Sequence, residues 1–253
     1  MKVTFLGTGT SQGVPVIACD CKVCRSVDYR DKRLRSAIHV ETDDLSIVVD
    51  TGPDFRQQML RERIKRLDAV LFTHEHKDHT AGLDDIRSYN FRQKMEMPIY
   101  GHPRVLDQLR REFEYVFAEL KYPGAPRITT TEIGNSPFHI NDLEITPIEV
   151  MHYKLPVFGF RIGHFAYITD AKTISDTELS KLQGVKVIVL NALQKEPHIS
   201  HFTLEEALEM SEKIGAEKTY LTHISHKLGL HREVASELPD GVHLAYDGLK
   251  VFC

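Results

Sequence analysis

The 253-residue sequence predicts an α/β fold made of two related halves around a shared central layer. Three observations predict it. Apolar, strand-like runs alternate with segments of helical period along the chain. A strand followed by Thr-His occurs twice, in Leu71-Phe72-Thr73-His74-Glu75-His76 and in Tyr220-Leu221-Thr222-His223-Ile224-Ser225-His226. Histidines and aspartates fall at the carboxyl ends of expected strands, where loops usually carry function. Residues 1–253 are therefore read as a single domain.

Composition is ordinary for a globular protein, 42% hydrophobic and 27% charged. No apolar run approaches the ~20 residues of a membrane-spanning helix, which argues against a membrane protein. The start, Met1-Lys2-Val3-Thr4-Phe5-Leu6-Gly7, enters a strand without the shape of a signal peptide, so cytoplasmic residence is expected. A net charge of −4 argues against bulk nucleic-acid affinity. Two basic stretches, 25–35 and 56–66, run the other way. Both read as solvated faces, with a rim attracting a phosphorylated substrate as the functional alternative.

In chain order, residues 2–6 form a first strand. Gly7-Thr8-Gly9-Thr10-Ser11-Gln12-Gly13 follows as a loop of tight turns needing positive φ, or as a backbone passing close to a site. It lacks the lysine of a nucleotide-binding P-loop. Residues 37–41 and 45–49 read as a hairpin across Thr42-Asp43-Asp44. Asp50 closes it, as a turn carboxylate or as a partner orienting a metal-binding loop. Pro53 suits the first position of a helix whose apolar side is Phe55, Met59 and Leu60. Residues 69–72 form a buried strand, 81–89 a helix and 97–100 a short strand. Pro103 opens a helix with Val105, Leu106, Leu109 and Phe113 on one face, broken by Pro123-Gly124-Ala125-Pro126. Residues 85–94 are less regular.

The second half returns to strands at 129–133, 143–150, 157–162 and 164–169. Ser175 with Glu178 forms a capping box, with Leu179 and Leu182 following before Gly184. Residues 185–190, apolar apart from Lys186, form a strand. Thr203 with Glu206 forms a second capping box, opening a helix with Leu204, Ala207, Leu208 and Ile214 inward and Gly215 as its stop. Residues 218–222 form the next strand.

Thr73-His74-Glu75-His76-Lys77-Asp78-His79-Thr80 organises the function. Three imidazoles and a carboxylate fall within six positions at a strand end. Neutral imidazole and carboxylate suit a borderline divalent ion such as zinc, and carboxylate also suits manganese. His152, Asp170 and His223 each end another expected strand, and together with the motif they complete a site. A divalent metal held there would activate a water near neutral pH and neutralise charge on a phosphoryl or acyl oxygen. Either His198 or His201 could then protonate a leaving group. Separately, Cys19, Cys21 and Cys24 read as part of a structural metal site lacking one local ligand. Cys253 carries no evident chemistry.

The His-x-His-x-Asp-His motif resembles that of the metallo-β-lactamase-fold hydrolases, and the resemblance implies their four-layer αββα sandwich. It implies His74, His76 and His152 at a first metal, Asp78, His79 and His223 at a second, and Asp170 bridging. It places Asp50 in the orienting role. Oxygen-reducing di-iron members carry Glu where His76 stands, so the pattern implies hydrolysis.

Gly7 to Pro15, the cysteine cluster, the metal motif and residues 221–226 further resemble the phosphoribosyl 1,2-cyclic phosphate phosphodiesterase group of the carbon–phosphorus lyase pathway. That resemblance implies His226 as the fourth ligand of a structural zinc. It also implies His201 and Asp78 as catalytic residues, and a small phosphorylated substrate. Residues 87–98 and the basic runs depart from the group. The implied function is a phosphodiesterase acting on a small cyclic phosphodiester, with two zinc or manganese ions. The alternatives are carboxylic ester, lactone or thioester hydrolysis on the same fold, and a biosynthetic factor resembling pyrroloquinoline quinone biosynthesis protein B. Transfer-RNA processing of the ribonuclease Z type is disfavoured by the missing basic arm. Superfamily members are often dimers, so the resemblance allows a homodimer while the oligomeric state stays open.

Overall fold

The computed structural model describes residues 1–120 and 122–253. The first half opens with β1 (Lys2–Gly7), β2 (Ala37–Glu41) and β3 (Ser46–Val49). Helix α1 (Phe55–Glu62), β4 (Ala69–Leu71), α2 (Lys77–Thr80), a 3₁₀ turn at Leu83–Ile86 and α3 (Arg87–Gln93) follow. Then come β5 (Met97–Gly101), α4 (Pro103–Glu112), α5 (Glu114–Phe117) and β6 (Ile128–Glu132). The second half begins with β7 (Phe138–Ile140), β8 (Leu143–His152), β9 (Leu155–Ile162), β10 (Phe165–Tyr167) and β11 (Thr173–Ile174). It continues through α6 (Asp176–Ser180), β12 (Val187–Asn191), α7 (Leu204–Ile214) and β13 (Lys218–Thr222). It ends with α8 (His231–Ala235), β14 (Val242–Leu244) and β15 (Lys250–Phe252).

These strands form two sheets rather than one shared layer. One runs β15-β1-β2-β3-β4-β5-β6, the other β11-β8-β9-β10-β12-β13-β14 with β7 on β8. Alternation along the strands explains the doubling, because successive side chains face opposite sides. Ile47, Val49, Ala69 and Leu71 point inward to meet Phe160, Tyr167, Val187 and Val189 of the opposite sheet. Their neighbours Val48 and Val70 face out, under Phe55, Met59, Val105, Leu106 and Leu109 of α1 and α4. On the other side Ile188 and Leu190 lie under Leu204 and Ala207 of α7 and Val234 of α8. The result is the four-layer αββα order. The C-terminal β15 returns to pair with β1, so the halves are not closed units.

Strands β3 to β6, and β10 with β12 to β14, run parallel. Their carboxyl ends therefore lie on one side of each sheet, the usual place for a site in such sheets. Among the described residues no helix is long and apolar enough to cross a membrane.

Several local expectations change. Pro53 lies two residues before α1, and Asp54 is its N-cap without capping through its side chain. Instead the Asp54 carboxylate accepts from the Arg35 amide at 2.8 Å and pairs with its guanidinium. Leu60 is 61% exposed, and Gln58 takes its inward place by donating to the Arg35 carbonyl. The helix expected over 81–89 is interrupted. The chain is helical already at Lys77–Thr80, passes through the 3₁₀ turn, and resumes at Arg87. Residues 143–152 form one strand that includes His152, and β7 and β11 were not anticipated. At α6 only half of the expected box forms. The Ser175 hydroxyl accepts from Glu178 N, while the Glu178 carboxylate accepts from Asn135 and the Glu149 amide. The Thr203–Glu206 box is complete.

Candidate metal centre

The glycine-rich loop is shaped by close approach more than by positive φ. A Cβ on Gly7 would lie 1.9 Å from the Arg35 carbonyl oxygen, so no larger residue fits there. The loop then docks on the end of β13. Ile224 N donates to Thr8 O at 2.9 Å and Thr10 N to Ile224 O at 3.1 Å. This brings the Thr10 hydroxyl to 3.3 Å from His223 Nε2.

Across the site, β4 ends in the metal motif. His74 and His79 are fully buried and His76 is exposed, on a rim. Their order comes from Asp50, buried beneath them. Its carboxylate accepts from Thr73 N at 2.9 Å, from the Thr73 hydroxyl at 2.9 Å and from His79 Nδ1 at 2.7 Å. Because the Thr73 hydroxyl spends its proton on Asp50, it accepts from His74 Nδ1 at 3.0 Å. Both histidines therefore carry their proton on Nδ1 and present a bare Nε2, the form a metal requires. His152 is set the same way, since its Nδ1 donates to the Ser200 carbonyl at 2.9 Å.

Asp170 stands at the centre. Its Oδ2 lies 3.3 Å from His79 Nε2 and 3.2 Å from His223 Nδ1, and its Oδ1 3.8 Å from His201 Nδ1. Asn191, at the end of β12, clasps the next residue. Its Oδ1 accepts from Ala171 N at 2.7 Å and its Nδ2 donates to Ala171 O at 3.0 Å. Neither Asn191 nor Thr10 was singled out from sequence, although Asn191 is the lone polar residue closing an apolar strand. Asp50, Asp170 and His223 all adopt left-handed backbone, with φ of 68°, 60° and 56°. Such strain in non-glycine residues gathers at functional sites. Gly52 lets the motif come close, since a Cβ there would lie 2.1 Å from the Asp78 carbonyl oxygen.

The structure brings all seven expected ligands together. His74, His76 and His152 form one group and Asp78, His79 and His223 a second. Asp170 joins His74 and His79 in a third group and His152 and His201 in a fourth, with ligand atoms within 4.8 Å of one another in each group. The electrostatics favour positive charge at this centre. Burial opposes charge on Asp170, but His223 and His79 outweigh it and hold the carboxyl well below its ordinary range. Burial likewise opposes charge on His79, yet Asp78, Asp170 and Asp50 hold it well above the usual imidazole value. The buried His79 Nε2 has no hydrogen-bond partner among the described residues, while Asp78 and Asp170 oxygens sit 3.2 and 3.3 Å away. A buried and a part-buried carboxylate around this nitrogen, where a second proton would otherwise sit, fit a divalent ion that takes that proton's place.

His201 is buried, and burial pushes its imidazole down to about 3, so it rests uncharged. His198, half-buried, lies 5.2 Å away ring to ring and accepts from the Ser200 amide.

The cysteines form a second cluster. His226 Nδ1 lies 3.2, 3.4 and 3.5 Å from the Sγ atoms of Cys19, Cys21 and Cys24. Tetrahedral zinc with Zn–S near 2.3 Å and Zn–N near 2.0 Å would set that separation at about 3.5 Å. The donor set and spacing fit a closed structural site. Cys253 is exposed and separate.

Residues 46–224 match the family described as Beta-lactamase superfamily domain. A protein of Porphyromonas gingivalis named octanoyltransferase is 42% identical over 99% of this chain and 51% of its own length. The chain spans about half the length of the curated relatives it matches. A crystal structure described as a new diphosphatase from the PhnP family aligns with a TM-score of 0.93 and 38% identity, covering 100% of this chain and 97% of that one. Zinc-bound PqqB of Methylobacterium extorquens aligns over the full length of both chains with a TM-score of 0.81 and 19% identity, a likeness of fold.

Proposed function

Because the chain belongs to the β-lactamase superfamily domain family and, within it, to the PhnP family, we propose that it is a binuclear metal-dependent hydrolase cleaving a small cyclic phosphodiester. The observation that carries this reading is Asp170. One buried carboxylate lies among imidazoles of both ligand groups, as a bridging ligand must. On this reading His74, His76 and His152 would hold one zinc or manganese ion and Asp78, His79 and His223 the other, with Asp170 placed to serve both. Bound there, two ions supply an activated water near neutral pH and neutralise charge on a phosphoryl oxygen.

The chain's own groups do the rest. Asp50 fixes the tautomers of His74 and His79. His201 faces the centre and meets the leaving oxygen. Burial keeps its ring neutral, but the negative charge of a bound phosphate acts in the opposite sense and favours the protonated form that a general acid needs. Cys19, Cys21, Cys24 and His226 hold a structural zinc that anchors the segment three residues beyond His223. Residues 1–253 act as one unit, in the cytoplasm, on a small phosphorylated substrate, without nucleic-acid or membrane partners.

Two relatives favour neighbouring chemistries. The PhnP-family diphosphatase favours attack on a phosphoanhydride, which uses the same centre. The octanoyltransferase favours acyl chemistry, although half of that protein lies outside the match. The test compares 5-phosphoribosyl 1,2-cyclic phosphate, a chromogenic bis-aryl phosphate, a nucleoside diphosphate and an octanoyl thioester, each with zinc or manganese and with Asp170→Asn as blank. Metal-dependent cleavage led by the cyclic ester supports the proposal. Preference for the diphosphate or the thioester replaces it with that reading, and no turnover by fully metallated protein removes it.

A further inference from the structure

Arg104 lies outside every ligand group, on α4. That helix is firmly seated, with Val105, Leu106 and Leu109 fully buried and the His102 side chain capping its start by accepting from Arg104 N. The Arg104 Nε sits 2.8 Å from Oε1 of Glu75, the residue between His74 and His76, as an ion pair rather than an aligned hydrogen bond. One terminal nitrogen of the same guanidinium donates to the Pro156 carbonyl at 2.6 Å. Pro156 pairs with Met151 in the β8–β9 hairpin, and the next pair is His152 with Leu155. A single planar group therefore joins two loops from different sheets. One carries His74 and His76, the other His152, and these three form one ligand group. Among the described residues Glu75 has no other ion pair, and its Oε2 is buried without a hydrogen-bond partner. The remaining intervening residue of the motif is tied to the same helix, with Lys77 Nζ 2.6 Å from Glu112.

We propose that Arg104 is a positioning residue that sets the separation between the His74–His76 loop and the His152 hairpin, and so the affinity of that ligand group for its ion. This rests on the metal-centre reading above. Arginine suits the task because its rigid planar group keeps its charge against Glu75 while a terminal nitrogen donates to the Pro156 carbonyl, whereas lysine offers a point charge that can satisfy Glu75 but not hold the Pro156 carbonyl as well. Partners that orient metal ligands typically change affinity 10–100-fold when removed.

The test is titration of chelator-stripped protein with zinc and with cobalt, following equivalents bound and the visible cobalt spectrum, beside the melting temperature of the metal-free protein. Arg104→Ala should weaken one of the two active-site ions by about 10–100-fold and leave the other, and the cysteine site, unchanged. Arg104→Lys should recover part of the loss. Glu75→Gln, which removes the charge while keeping the shape, should reproduce it even if Arg104→Ala folds poorly. Arg111→Ala, on the same helix and among the described residues hydrogen-bonded only to Gln108, should titrate as wild type. Wild-type affinity at both ions in Arg104→Ala or Glu75→Gln overturns this proposal and leaves the metal reading standing. Wild-type protein that takes up no ion at this group overturns both.

Discussion

Replacing Asp50 by Asn changes one oxygen to an N–H₂ group at constant shape, in a pocket where the side chain is fully buried. Three donors converge on the carboxylate: Thr73 N, the Thr73 hydroxyl and His79 Nδ1. An amide offers one acceptor oxygen, so at least one donor must face N–H instead. If His79 is that donor, it can keep a hydrogen bond only by moving its proton to Nε2, the atom facing Asp78 and Asp170. If it is the Thr73 hydroxyl, that group turns its proton toward His74 Nδ1 and reverses that ring as well. The third donor, the Thr73 amide, cannot move its proton, so an amide nitrogen placed there sets N–H against N–H; the orientation that keeps every hydrogen bond leaves a metal ligand in the wrong tautomer. A hydrogen bond to a charged group is worth about 1.5–3 kcal/mol. Loss of that amount at one ion is roughly a 10–100-fold weaker affinity. Chelator-stripped Asp50→Asn titrated with zinc against a chromophoric competitor should show this for at least one of the two ions. Circular dichroism should report an unchanged fold. Wild-type affinity at both ions would refute the tautomer argument and with it the role given to Asp50.

Other perturbations separate the roles of the two clusters and of the scaffold. Asp170→Asn should abolish turnover while preserving the fold, because asparagine tolerates the left-handed backbone at this position (φ 60°); measurable activity would remove Asp170 from the centre. Cys21→Ser should chiefly lower the melting temperature by loosening the Cys–His cluster, and lost turnover at unchanged melting would overturn that assignment. Gly52→Ala should destabilise by about 2 kcal/mol or more, since its Cβ would sit 2.1 Å from the Asp78 carbonyl oxygen; a wild-type denaturation midpoint would count against that contact. Burial depresses His39 from its ordinary 6.5 to about 4, so the folded state resists its protonation. Its contribution is full above about pH 6.5 and lost as pH falls toward 4, up to roughly 3 kcal/mol. His39→Asn should flatten the stability profile in that window, and an unchanged slope would show that other groups govern it.

Much of this was legible from local pattern. The apolar run before Thr73 and the His-x-His-x-Asp-His spacing placed four ligand-type side chains at one strand end, because a strand delivers its last residues to a fixed edge. The helix of Pro103 followed from the 3.6-residue spacing of Val105, Leu106 and Leu109, and Thr203 with Glu206 marked α7 because a cap is a contact between near neighbours. The helix after the metal motif was misjudged because hydrophobic spacing records neither the break at Gly82 nor the early turn through Asp78 and His79. Leu60 was misplaced because a buried Gln58 answering the Arg35 carbonyl is a long-range bond that helical periodicity cannot register.

Sequence alone determined what chemistry the chain carries: which side chains can hold a metal, which strands they end, and which cysteines group. Tertiary structure decided how those groups act together. The doubled sheet arises from two inward faces meeting, which no single strand encodes. Asp50, Asn191, Thr10 and Arg104 acquire their roles only through partners that folding brings near, namely His79 and Thr73, Ala171, His223, and Glu75 with Pro156. Periodicity and capping act over a few residues and can be read along the chain. Tautomers, shared carboxylates and braces between sheets depend on distances of about 3 Å between residues far apart in sequence, and those exist only once the core has closed.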